Sequence, residues 1–237
     1  MRPTPYLDGF RVGVRPPPEM PLREWVSENV YLPNSPEGAR YSLDAVPAHG
    51  AIFDWIEDSE VREIALIACV GFGKTAILES WCTRIVAVEP GDTLVIGQTT
   101  DMVKDWMESR MRKVWQTSPL TRDYIPTGPE RSNWKKDSVI FRHMNFFAGA
   151  ANVTDLQEKS MVNTAGDECW RWDDGMIGFL LKRHHGRWNR KNLLMSQGGN
   201  EGTEWHKHAK DGKWHELEHL CPHCSTGHVF DWKNFQY

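Results

Sequence analysis

The segment Ala68-Cys69-Val70-Gly71-Phe72-Gly73-Lys74-Thr75 carries residue types that suit a phosphate. Backbone N–H groups that converge at a helix N-terminus attract anions, helped by the helix macrodipole. Gly71 and Gly73 permit a close turn, Lys74 can reach β/γ-phosphates, and Thr75 can ligate Mg2+. The usual spacing is Gly-x4-Gly-Lys-Ser/Thr, and Ala68 stands at the position of its first glycine. A small residue suffices there if its dihedrals are ordinary. The plainer alternative is a strand-to-helix turn with a chance Gly-Lys-Thr. The apolar run before the loop and the helical period after it favour the phosphate loop.

Hydrolysis at such a loop also needs an acidic pair at the end of a neighbouring strand. One carboxylate holds Mg2+ and one polarises the attacking water. Asp167-Glu168 is the leading pair. Asp173-Asp174 is its rival, but the flank Cys169–Trp172 suits a core strand less well. An Asp-Glu pair alone is weak, and the loop upstream gives it weight. Residues 95–100 and 193–199 read as strands with small polar ends, where ligands bind in open α/β sheets. Ser196 and Gln197 could sense a γ-phosphate there, or serve as ordinary strand-to-loop residues.

Other constellations are less specific. Residues 182–191 hold five Lys or Arg, and Arg110, Arg112 and Lys113 form a second set. Both could follow a DNA backbone, and both could be solvated faces. One of these arginines could also stabilise the transition state. The chain has 12 tryptophans, several beside basic residues, as at Trp134-Lys135-Lys136 and Arg187-Trp188. They suit packing under long cationic stems, or stacking beside phosphates. Cys221 and Cys224 make a C-x-x-C, half of a tetrahedral Zn2+ site, with His215, His219 and His228 as nearby substitutes.

These groups need a scaffold. Residues 62–70 read as a buried parallel strand, 74–89 as a helix, 92–98 as a second buried strand, and 101–116 as an amphipathic helix. Residues 137–150 read as a hairpin or two short strands, 174–185 as helical, and 191–199 as another strand with a polar end. The alternation predicts an α/β domain with a mostly parallel sheet flanked by helices. A Pro-rich arm is expected over 1–21, the main domain over 22–210, and a zinc-ribbon-like hairpin over 211–237.

The sequence has 237 residues with a formal net charge of −4, so nucleic acid would meet a local patch and not a polycation. Five cysteines argue against a disulfide framework and for a reducing compartment. No apolar run reaches transmembrane length, and residues 1–10 lack an apolar signal core.

The ordered series of the loop, residues 92–111, Asp167-Glu168, residues 192–203 and the C-x-x-C resembles the ATPase half of bacteriophage terminase large subunits of the lambda gpA-like family. The likeness runs over roughly residues 22–232. It implies an ASCE-type (RecA-like) P-loop NTPase fold, ATP and Mg2+ as cofactors, and ATP-driven movement of double-stranded DNA into a procapsid. It also implies a terminase small subunit and a portal as partners, a homo-oligomeric ring during packaging, and the host cytoplasm as location. The family's Walker A loop maps onto Ala68–Thr75 and its Walker B pair onto Asp167-Glu168. Its coupling motif falls at Ser196-Gln197-Gly198. The segment near the adenine maps onto Pro47-Ala48-His49. Cys69 stands where many relatives have Arg or Gln. Family chains continue into an RNase H-like nuclease domain, so endonuclease activity is not expected from these residues. Two other classes remain open: a DNA-binding or assembly module that binds nucleotide without turnover, and a superfamily-2-like helicase, which would need a second RecA-like domain.

Overall fold

In the computed structural model, residues 20–33, 40–157 and 160–229 are described. The Pro-rich arm expected over 1–21 lies almost wholly outside them. The first elements are α1 (Leu22–Asn29) and α2 (Ala48–Glu57). Then come β1 (Glu63–Ile67), α3 (Lys74–Ala87) and β2 (Thr93–Gly97). Next are α4 (Thr100–Trp106), a π-helical turn (Met107–Met111) and α5 (Arg112–Thr117). The hairpin β3 (Ser138–Ile140) and β4 (Asn145–Ala150) leads to α6 (Val153–Gln157) and β5 (Asn163–Asp167). The domain closes with α7 (Met176–Leu181), β6 (Lys191–Ser196) and α8 (Glu204–Lys210).

Six strands form one sheet in the order β1-β6-β5-β2-β4-β3. All neighbours are parallel except β3 against β4. This order puts β6 between the strand that feeds the loop and the strand that carries the acids. Both faces of the sheet are covered, as its unbroken apolar runs require. Val95, Leu193 and Met195 pack on one face with Phe53, Ile77, Trp81 and Trp115. Leu94, Ile96 and Leu194 pack on the other with Leu156, Ile177, Leu180 and Trp205.

Residues 62–70 are expected to form a buried parallel strand, but β1 lies at an edge of the sheet, and Ile67 is 39% exposed. Among the described residues, the apolar run serves a strand with one neighbour, β6. The five residues of β2 are all buried, as are all but one residue each of β5 and β6.

The N-terminal ends of the strands are held by polar ties that use part of the basic cluster. Lys191 Nζ donates to the carbonyls of Asp58 (2.7 Å), Trp55 (3.4 Å) and Val61, closing the end of α2. Arg187 Nε donates to Ser160 Oγ at 3.2 Å. Thr164 Oγ1 donates to Asn192 Oδ1 at 2.7 Å and pairs with His184 Nε2 at 2.7 Å. Several residues of the 182–191 cluster thus sit at the sheet end opposite the loop, engaged in structural bonds. Trp188 itself is 81% exposed, whereas Trp134 is partly buried, with Arg112 over its ring at 4.8 Å.

At the same end, His208 of α8 meets Glu63 of β1 at 2.5 Å. The contact with Glu63 raises the His208 pKa, against burial. Burial pushes the Glu63 pKa up, but His208 and Asn192 outweigh it and the net shift is down. The signs fix a window. The Glu63 contribution is complete above its ordinary value of 4.5 and is lost as pH falls through its lowered folded pKa. The His208 contribution is complete below its ordinary value of 6.5 and is lost as pH rises through its raised folded pKa. The stability difference between wild type and His208→Gln should therefore be greatest between 4.5 and 6.5 and shrink on both sides. The pair is partly solvated, so the gap is at most about 1 kcal/mol. Thermal unfolding of both proteins across pH checks this.

The C-terminal hairpin, β7 (Glu218–Leu220) and β8 (Gly227–Val229), is a separate two-stranded sheet with all six residues exposed. Cys221 N donates to the Thr226 carbonyl (2.9 Å) and Ser225 N to the Cys221 carbonyl (2.8 Å), which shapes the knuckle. His219 and His228 face each other across the strands, and the His215 ring lies 4.7 Å from Trp55. Among the described residues no three His, Cys, Asp or Glu side chains converge as a metal site. Among these residues, too, no helix is long and apolar enough to cross a membrane.

Candidate active site

Because the large strands are parallel, their C-terminal ends share one edge of the sheet, where ligands of open α/β folds bind. The loop leaves β1 at this edge. Gly71 (φ 84°) and Gly73 (φ 95°) are left-handed, while Ala68 has no positive φ, so a small L-residue meets the need there. Gly73 caps α3 and Lys74 is its first residue. Lys74 is 7% exposed, and its Nζ donates to the carbonyls of Ala68 (2.9 Å) and Cys69 (3.1 Å). An ammonium has three N–H donors, so a third can serve a phosphate. Cys69 and Val70 are exposed, and the Phe72 N–H donates to the Cys69 carbonyl.

Asp167 ends β5, and Glu168 follows it with φ 52°. A non-glycine residue there stores strain on the order of 1 kcal/mol, which clusters at functional sites. Asp167 Oδ1 accepts the Glu168 N–H at 3.1 Å. Burial pushes the Asp167 pKa up and Glu168 adds to this, while Lys74 and Arg110 pull it down. Lys74 therefore acts electrostatically on Asp167 from the far side of β6.

Ser196, at the end of β6, connects the two halves. Its carbonyl accepts the Ala68 N–H at 2.9 Å, and its hydroxyl accepts the Trp170 N–H at 2.9 Å. One fully buried residue thus ties the first loop position to the turn after Glu168. The Gln197 carbonyl accepts Trp205 Nε1–H at 2.9 Å, which anchors the next step of the chain on α8.

Several partners escaped the sequence reading. Trp170 Nε1–H donates to Glu168 Oε2 at 2.7 Å, and Trp172 Nε1–H donates to the Asp167 carbonyl at 3.1 Å. The aromatic flank that counted against Asp173-Asp174 is what holds the favoured pair. Asp173 and Asp174 are exposed and lie beyond the turn, where Asp174 accepts the Glu204 N–H. Glu79 of α3 is 2% exposed in its side chain and receives Arg110 Nε at 2.7 Å and Trp106 Nε1–H at 3.1 Å. Trp106 and Arg110 are four apart on one helical face, a signal the sequence offered. Arg110 is therefore committed to a buried carboxylate near Asp167. Arg171 Nη1 donates to Gln98 Oε1 at 3.2 Å, reaching the end of β2.

His49 does not open onto the edge. It is 2% exposed on α2, with Nδ1 paired to the Tyr41 hydroxyl and Nε2 to the Phe72 carbonyl at 2.6 Å.

A phosphate-shaped loop, an acid pair on a neighbouring strand end and a serine bridging them form one constellation. Comparisons with known proteins place the chain in a family. A model of the ATPase domain of the phage terminase large subunit gpA matches residues 35–237. The fold is similar to the HK97 bacteriophage large terminase, with a TM-score of 0.62 and 15% identity over 77% of this chain. The chain spans 38% of that protein's length. It is also similar to the UvsW helicase from bacteriophage T4, with a TM-score of 0.52 and 14% identity over 86% of this chain and 72% of that one. At such identities the two likenesses speak to fold alone. No curated protein matches the sequence. The chain belongs to the family of phage terminase large subunits of the gpA type, as an ATPase domain.

Proposed function

We propose that this domain is the ATPase motor of a terminase large subunit, hydrolysing ATP with Mg2+ to move double-stranded DNA into a procapsid. The observation that carries the proposal is the shared edge, with Lys74 acting on Asp167 and Ser196 tied to both the loop and the acid turn. In this reading the backbone of residues 68–75 and Lys74 bind the phosphates. Thr75 and Asp167 offer a hydroxyl and a carboxylate, hard oxygen donors that suit Mg2+ and its retained waters. A buried carboxylate whose pKa is pushed up by burial and by Glu168 gains most from a cation, so these residues fit the ion. The metal would neutralise charge on the phosphates. Glu168 orients and deprotonates water, and Trp170 fixes its direction. Ser196 and Gln197 pass the state of the site to α8 and the turn of Trp170.

The family also suggests the small subunit, the portal and procapsid, a homo-oligomeric ring and the host cytoplasm as the setting. Cys221 and Cys224 would supply two of the four ligands of a Zn2+ site. A second reading, nucleotide binding without turnover, draws on Cys69 in the loop and on the bond that Trp170 makes to Glu168. Phosphate release from MgATP, with and without double-stranded DNA, separates the two. The motor reading expects DNA to raise turnover. No turnover with DNA and procapsid present defeats it and leaves binding alone.

A further inference from the structure

Beneath the loop lies a buried polar pair that the chemistry above does not use. Tyr41 (5% exposed) and His49 (2% exposed) are joined through the tyrosine hydroxyl and Nδ1. His49 Nε2 meets the Phe72 carbonyl at 2.6 Å, and the two rings lie 5.0 Å apart. A carbonyl can only accept, so Nε2 carries the hydrogen, and Nδ1 of the neutral ring accepts from Tyr41. Burial lowers the His49 pKa and raises that of Tyr41, which supports the neutral pair. Phe53 closes over Tyr41 with ring centroids 5.7 Å apart.

The imidazole also lies flush against Gly73. A Cβ built on Gly73 would come within 2.6 Å of His49 Cε1. His49 therefore touches both residues of the Phe72–Gly73 peptide, one by a hydrogen bond and one by contact. That peptide is trans, as none among the described residues is cis. In a planar trans peptide the C=O and the following N–H point in opposite directions. Drawing the Phe72 carbonyl onto His49 turns the Gly73 N–H away from His49.

We infer that Tyr41 and His49 are positioning residues that lock the Phe72–Gly73 peptide so that the Gly73 N–H faces a bound phosphate. The pair acts on the phosphate end of a nucleotide and leaves the choice of base untouched. This rests on the nucleotide-binding reading of the loop. It assigns His49 a role distinct from the adenine contact that its place in the sequence suggests.

The test is displacement of fluorescent mant-ADP from the full chain by MgATP, MgGTP and magnesium tripolyphosphate. His49→Leu removes both hydrogen bonds, and His49→Gln keeps an N–H for the Phe72 carbonyl. His49→Leu should weaken all three competitors about equally, by about tenfold, the loss of one well-placed hydrogen bond to the site. His49→Gln should recover most of the loss, a rescue that a merely space-filling ring would not show. Tyr41→Phe, which keeps the ring and drops the hydroxyl, should give a smaller uniform loss and serves if His49→Leu does not fold. The inference is overturned if tripolyphosphate affinity is unchanged, if only the ATP-to-GTP ratio moves, or if His49→Gln is as impaired as His49→Leu. Wild type that binds no nucleotide overturns the inference together with the nucleotide reading. A failure confined to the variants leaves that reading standing.

Discussion

Glu168→Gln is expected to bind MgATP within about threefold of wild type and to turn it over two to three orders of magnitude more slowly, the usual worth of a general base. The amide keeps the shape of the side chain and an oxygen for the Trp170 N–H, so the turn after β5 should persist. What it loses is the negative charge that is proposed to draw a proton from water. The left-handed backbone at Glu168 supports this assignment, because strain of this kind survives only where the surroundings insist on it. Single-turnover phosphate release beside an equilibrium nucleotide titration separates the two effects. Equal turnover in the variant and wild type would remove Glu168 from the chemistry.

Lys74→Ala acts on the other half of the site. It is expected to weaken MgATP binding by roughly two orders of magnitude, in line with a charge-assisted contact to phosphate. Turnover should fall below detection. The ammonium is buried within the loop, and the carbonyls of Ala68 and Cys69 are its present partners. Removing it takes away the cation that Asp167 feels and that a bound phosphate would meet. The fold should tolerate the change, since alanine favours the helix that Lys74 begins. Calorimetric titration with MgATP, alongside thermal unfolding of both proteins, reads binding and stability separately.

Much of this architecture was legible in the sequence because its signals are local. The helix after the loop, the hairpin over β3 and β4 and the polar end of β6 each follow from periodicity and end residues. Exposure of β1 was not legible, because an apolar run does not say how many neighbours a strand has. The acid pair is legible as two carboxylates after a strand, but its supports are not. Trp170 and Trp172 reach back to Glu168 and Asp167 through indole N–H groups, and the tight turn after β5 makes this possible. Ser196 was singled out by its place at a strand end. Its double bond to the loop and to Trp170 follows from β6 lying between β1 and β5, and strand order is not written in any one segment. His49 and Glu79 show the same limit. Each is buried on a helix and gains its meaning from residues distant in sequence, Phe72 for one and Arg110 for the other.

The central claim is that the loop after β1 and the acid after β5 serve a single metal–nucleotide site across β6. Mn2+ binding in the presence of ADP, followed by electron paramagnetic resonance on wild type and Asp167→Asn, tests it most directly. The prediction is a tight Mn2+ site that appears only with ADP and is weakened at least tenfold by Asp167→Asn. Equal ADP-dependent Mn2+ binding in the two proteins would contradict it.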